Sequence, residues 1–165
     1  MKTIYIVRHA KSSWDFPHCA DHERPLIDKG IKRTDRISNW LIQNRVEVEV
    51  IISSHAIRAH ETAQLIAGVL DFPKDQIRIA PAIYHADAED LIDQFYDLPN
   101  DHSSALLVGH NPTLTNFVNY YLNDKIDWLP TSGLVGIAFD TQKWEELSIA
   151  KHEVLFVITP KMLKK

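Results

Sequence analysis

The sequence predicts a three-layer α/β/α sandwich on a mostly parallel, mixed sheet. Two observations carry this. Short β-branched runs alternate with longer stretches whose apolar residues recur at helical spacing, over most of the chain. Toward the C-terminus the pattern changes to three apolar runs with short connections, which requires part of the sheet to be antiparallel. A third observation bears on function. The runs at residues 4–7, 50–52 and 105–108 each end directly in a polar turn carrying Arg or His.

Taken in order, residues 2–7 are the first strand, and residues 10–25 scatter Asp, Ser, His and Pro without a period and read as a loop. A loop that long is functional or disordered, and one that begins at Arg8-His9 reads as functional. Residues 28–44 form a helix, with Asp28 as N-cap and a stripe of Ile31, Thr34, Ile37 and Leu41 widened by Trp40. A strand over 48–53 leads to a helix over 56–70. Its inner face, Ala59, Ala63, Ile66, Ala67 and Leu70, is small enough to lie close to a sheet. Pro81 ends a short strand at 76–80, and Asp87 caps a helix over 87–98, where Asp90 favours the positive helix end and Leu91, Ile92, Phe95 and Leu98 face inward. The strand at 104–108 runs into Gly109-His110. Asn111 is the N-cap and Pro112 the first position of a helix that buries Leu114, Phe117, Val118 and Tyr121. Strands at 134–139, 144–149 and 154–159 and a solvated tail at 161–165 complete the chain. With no repeat, low-complexity tract or long linker, residues 1–165 are read as a single domain.

Composition narrows the function. A net charge of −4 argues against a nucleic-acid binder, because no excess of cations is available to release counterions. No cationic lead precedes a long apolar segment, so no secretory signal is expected. The longest uninterrupted apolar run, residues 154–158, is far shorter than the roughly 20 residues that span a bilayer, so no membrane partner is expected. A lone Cys19 forms no internal disulfide and fits a reducing, cytoplasmic location, and a monomer is expected. Between Ile79 and Asp124 there is no Lys or Arg but seven acids. This reads as a solvated acidic face, or more sharply as a surface that repels anions from the wrong side.

The chemistry concentrates at the three strand ends. The guanidinium forks of Arg8 and Arg58 match phosphate oxygens, although from composition alone the two read more readily as surface arginines paired with acids. His9 and His110 each follow an apolar strand. A neutral imidazole is a competent nucleophile toward phosphorus, and a second one can donate to the phosphoryl oxygens. Lys11, Ser12 and Arg24 are candidates for the rim of such a pocket. His18 and His22 flank Cys19, but without a fourth ligand they are a poor metal site, and no metal or cofactor is expected.

Three motifs in order resemble the histidine phosphatase superfamily. Arg8-His9-Ala10 is similar to its Arg-His-Gly, with Ala in place of Gly. Residues 54–63, with Ser54, Arg58, Thr62 and Ala63, resemble its second motif, and Gly109-His110-Asn111 its third. Residues 8–14 and Arg24-Pro25-Leu26 with Gly30 are similar to the small SixA-type phosphohistidine phosphatases. The resemblance implies a phosphoglycerate mutase-like fold and a metal-independent phosphatase. His9 would be the phosphorylated nucleophile. Arg8, Arg58 and His110 would grip the phosphoryl group, with Ser12 and Asn111 among the substrate contacts. It also implies an oxyanion pocket and a phosphorylated histidine-containing signalling protein as partner. Larger family members carry a carboxylic acid after the third strand, whereas residues 79–84 hold none and Asp87 and Glu89 read as helix-start acids. That absence fits a phosphoramidate, whose imidazole leaves without an added acid. A small-molecule phosphomonoesterase and a non-catalytic phospho-binding module are the alternatives.

Overall fold

The computed structural model describes residues 1–15 and 19–164. Six strands form one sheet in the order β3-β2-β4-β1-β5-β6. They are β1 (Lys2–Arg8), β2 (Val50–Ser53), β3 (Arg78–Ile79), β4 (Ser104–Gly109), β5 (Leu134–Phe139) and β6 (His152–Ile158). Strands β3, β2, β4 and β1 are mutually parallel, and β5 runs antiparallel to both β1 and β6. The central strands are unbroken apolar runs because both sheet faces are covered. In β1, Ile4 and Ile6 belong to one core cluster while Tyr5 and Val7 belong to the other.

Helices α1 (Asp28–Gln43) and α2 (Ile57–Leu70) cover the Tyr5/Val7 face. Of the expected small face of α2, Ala59, Ala63, Ile66 and Ala67 are fully buried there and Leu70 is half-buried. Helices α3 (Ala88–Leu91), α4 (Asp93–Tyr96) and α5 (Thr113–Asn119) cover the opposite face through Leu91, Phe95, Leu114 and Phe117. The fold is therefore the expected three-layer α/β/α sandwich. No helix among the described residues is long and apolar enough to cross a membrane.

Several boundaries differ from expectation for identifiable reasons. The segment 144–149 is not a strand but a 3₁₀ turn, Trp144–Glu146. The Trp144 indole is wholly buried, and its Nε1 donates to the Pro99 and His102 carbonyls, so a side-chain anchor replaces a backbone ladder. The helix expected over 87–98 is split into α3 and α4, where Asp90, Asp93 and Asp97 crowd like charges at helical spacing. The helix after β4 starts one residue late, at Thr113, with Pro112 at the N-cap position. The Asn111 side chain still serves it, because its Oδ1 accepts the Thr115 N–H at 3.0 Å. Asp28 is the first residue of α1 rather than its cap. The C-terminal segment is not a free tail, since a turn at Pro160–Leu163 packs on α1.

The loop after His9 is pinned from α1. Ile27 N–H donates to the Lys11 carbonyl at 3.1 Å, and Ser13 N–H donates to the Pro25 carbonyl at 2.8 Å. Gly30 makes this approach possible, because a Cβ there would sit 2.5 Å from the Lys11 carbonyl oxygen. Gly30→Ala is expected to lower stability by about 1–3 kcal/mol, as overpacking against backbone does. Urea denaturation checks this, and an unchanged midpoint would show that the loop is not held as described.

Candidate active site

The three adjacent strands β2, β4 and β1 end together. Arg8 pairs with Gly109 and Ser53 with Val108. The ladder continues one residue further, with His9 N–H donating to the Gly109 carbonyl and Ser54 N–H to the Val108 carbonyl, both at 3.1 Å. This register sets His9 beside His110, with ring centroids 5.2 Å apart. Arg58 enters from the first turn of α2. Thr62, one turn further on, receives the Ala10 N–H at 2.8 Å and donates to the Arg58 carbonyl, which ties α2 to the end of β1.

Arg8, His9, Arg58 and His110 line a cavity of about 390 Å³ together with Lys11, Ser12, Trp14, Arg24, Arg33, Asn111 and Thr131. Five of the lining residues are Lys or Arg and none is a carboxylate. Such a cavity is built for an anion. The buried side-chain N and O atoms without a partner among the described residues are Arg8 Nε, Arg58 Nε and His110 Nδ1. Unpaired buried polar groups cost roughly 1–3 kcal/mol each, so the deficit is concentrated where a ligand can relieve it.

His9 is 7% exposed, and its Nδ1 lies 2.7 Å from the Ala10 carbonyl oxygen. A carbonyl can only accept, so Nδ1 carries the proton and Nε2 keeps its lone pair. Burial, reinforced by the charges of Arg58, Arg8 and Arg24 and partly opposed by the Ala10 bond, pushes its pKa down to about 4. Burial and the neighbouring His9 and Arg58 push His110 down to about 3, with Asp21 opposing. Both rings are therefore neutral near pH 7. His110 Nε2 shares a 2.8 Å hydrogen bond with the Ser54 hydroxyl, whose oxygen also accepts the Ala56 N–H.

Two residues missed in the sequence organise the cationic wall. Asp21 comes from a short 3₁₀ turn within the loop after β1. Its backbone carbonyl and Oδ2 accept from the Arg58 guanidinium at 2.8 and 3.0 Å, and its Oδ1 accepts from Arg24 Nε at 3.1 Å. The Tyr84 hydroxyl, from the stretch after β3, also donates to Asp21 Oδ2. Burial raises the Asp21 pKa, but Tyr84 and Arg58 outweigh it and hold the carboxyl at about 2. It is a carboxylate at neutral pH and cannot supply a proton. Asp87 and Glu89 line a separate depression with Asn116 and Lys125.

The expected contacts divide. The Ser12 hydroxyl, 8% exposed, accepts from Arg24 at 2.9 Å, and the Arg24 guanidinium lies 3.5 Å from the Trp14 ring centroid. Asn111 lines the cavity, but its side chain is committed to the Leu129 carbonyl and to Thr115. The N–H groups of Leu114 and Thr115 already have acceptors, so they are not free to receive an anion. Of the His18, Cys19 and His22 cluster, His18 lies outside the described residues, and no group of three potential metal ligands occurs among those described.

The model of the histidine phosphatase superfamily (branch 1) matches residues 4–91. The chain belongs to this superfamily. Among its relatives, an uncharacterized protein of Mycobacterium leprae is 28% identical over 167 residues, covering 94% of this chain and 100% of that one. Phosphohistidine phosphatase SixA of Escherichia coli is 26% identical over 111 residues, covering 66% of this chain and 67% of SixA. The structure of the protein histidine phosphatase SixA complexed with tungstate matches with a TM-score of 0.83 at 22% identity, over 98% of this chain and 99% of that one. The fold of this histidine phosphatase superfamily member is thus shared end to end.

Imidazole titration by NMR checks the electrostatics of the site. The folded-state pKa values of His9 and His110 lie below the ordinary 6.5, so the fold favours the neutral rings. The stability this gives is present above pH 6.5 and is lost as pH falls through about 4 and 3. Both rings are expected to titrate with midpoints below 5, and midpoints near 6.5 would contradict the burial argument.

Proposed function

We propose that this protein is a metal-independent phosphatase that hydrolyses phosphohistidine on a signalling protein through a phospho-His9 intermediate. The observation that carries the reading is a neutral imidazole, oriented through Nδ1, in a cavity walled by five cations and no carboxylate. Membership of the superfamily and the SixA relative support a phosphatase. Arg8, Arg58 and His110 hold the phosphoryl oxygens, each charge-assisted bond contributing about 1.5–3 kcal/mol. The phosphoryl dianion competes with Asp21 for the Arg58 fork.

In the first step the His9 Nε2 lone pair forms a bond to phosphorus as the substrate P–N bond breaks. The departing imidazole, already protonated on its other nitrogen, leaves neutral. Water then attacks phosphorus, the bond to Nε2 breaks, and phosphate and neutral His9 remain while the water proton passes to solvent. An alkoxide leaving group requires a proton at the first step, and neither the cavity lining nor the ionised Asp21 holds a suitable carboxylic acid. The chemistry therefore favours a phosphoramidate over an alkyl phosphate.

Turnover of a phosphohistidine peptide, a sugar phosphate and an aryl phosphate, measured side by side with His9→Ala, tests this. The peptide is expected to exceed the sugar phosphate in kcat/KM, and His9→Ala to lose at least about 10³-fold on every substrate. A faster sugar phosphate would favour a small-molecule phosphomonoesterase. Equal rates for His9→Ala would remove the nucleophile. Binding of phosphate or vanadate without turnover would mark a phospho-binding module.

A further inference from the structure

Beside the active-site cavity runs a second groove of about 650 Å³, lined by Lys29, Lys32, Arg33, Arg36, Lys161 and Lys164 together with Trp128 and two prolines. Arg33 and Thr131 line both spaces, so the two adjoin. Six of the chain's 18 Lys and Arg are gathered here, in a protein whose net charge is −4. Among the described residues, none of the six forms an ion pair with a carboxylate.

The arrangement follows from helix geometry. Lys29, Lys32, Arg33 and Arg36 fall at i, i+3, i+4 and i+7 and form one stripe along roughly 10 Å of α1. Asp28 and Asp35 flank the Lys32 edge of the stripe, four residues before it and three after, but neither forms an ion pair with it. The turn at Pro160–Leu163 packs against α1 and adds Lys161 and Lys164 alongside. Trp128, 54% exposed, lies between groove and catalytic site, with the Arg8 guanidinium 5.6 Å from its ring. The cation-free acidic stretch bears α3 and α4, which cover the opposite face of the sheet from α1. The cation-lined groove and the cation-free helices thus lie on opposite faces of the sheet.

We propose that this groove docks an acidic segment of the protein substrate, next to the phosphorylated side chain delivered to His9. The inference rests on the phosphatase reading of His9. Unpaired cations along two neighbouring elements match a row of Asp and Glu side chains, and Trp128, Pro130 and Pro160 offer apolar surface to the segment's other residues. The spread of charge exceeds what one small phosphate needs. Trp128 is the one aromatic among the residues that line the groove, which gives no succession of platforms on which nucleic-acid bases could stack.

The test uses the full chain and the triple variant Lys29→Glu/Lys32→Glu/Arg36→Glu, whose sites lie outside the catalytic cavity. Two readouts are needed. One is anisotropy of a labelled, unphosphorylated Asp/Glu-rich peptide. The other is kcat/KM on phosphohistidine peptides with acidic or neutral flanks, with an aryl phosphate as reference. The variant is expected to lose the acidic peptide and to fall at least ~10-fold on the acid-flanked substrate. The aryl phosphate and the neutral-flanked peptide should change by less than ~2-fold in the variant, and high salt should weaken the wild type more on the acid-flanked substrate than on either of these. A uniform fall on all substrates, or none on any, would overturn docking. So would an oligonucleotide that binds the wild type and is lost in the variant, where the acidic peptide binds neither. Loss of turnover on every substrate by the wild type, with peptide binding intact, would instead sink the catalytic reading and leave the groove as a binder of acidic segments.

Discussion

The site depends on one prolongation of the β1–β4 ladder, the bond from His9 N–H to the Gly109 carbonyl. It carries the paired backbone one residue past the sheet and leaves His9 and His110 side by side at neighbouring strand ends. The Nδ1 bond to the Ala10 carbonyl then chooses which nitrogen faces chemistry, and Thr62 holds that stretch to the helix carrying Arg58. Position, tautomer and charge thus trace to backbone atoms, which a rigid buried sheet keeps in place.

Gathering cations in one cavity raises the problem of mutual repulsion. The protein meets it with a carboxylate behind the wall rather than inside the cavity. Asp21 neutralises the outer edges of Arg58 and Arg24 and is itself held by Tyr84, while the cavity lining stays free of acid. The resulting field does two things. It favours an incoming dianion, and it adds to burial in keeping His9 unprotonated and nucleophilic well below its ordinary pKa. The same field argues against a carboxylic acid near the leaving group, which connects the electrostatics of the pocket to the class of substrate it suits.

The α/β layering was legible because helices that bury one face keep their apolar period, while strands covered on both faces stand out as unbroken apolar runs. Arg8, His9 and His110 were legible because each sits where an apolar strand stops. Residues 144–149 misled because an apolar and charged mixture looks like an edge strand, whereas the buried Trp144 indole and its two carbonyl partners impose a turn. Asp21 and Tyr84 could not be read, since only the tertiary fold brings a loop residue and a residue after β3 onto the same guanidinium. The Asp21/Arg24 spacing was a faint signal of the first. The stripe of Lys29, Lys32, Arg33 and Arg36 was readable in principle, because cations at helical spacing mark a face as surely as leucines do. Its nearness to the active site was not.

The claim at the centre is that the lone pair of His9 Nε2 makes the bond to phosphorus. Rapid quench of the protein mixed with a phosphorylated substrate, followed by mass spectrometry and ³¹P NMR of the trapped chain under alkaline conditions, measures this directly. An acid-labile, alkali-stable phosphoryl group on Nε2 of His9 is the expected result. A phosphoryl group on Nδ1 or on another residue, or turnover with no phosphorylated chain at any quench time, would contradict it.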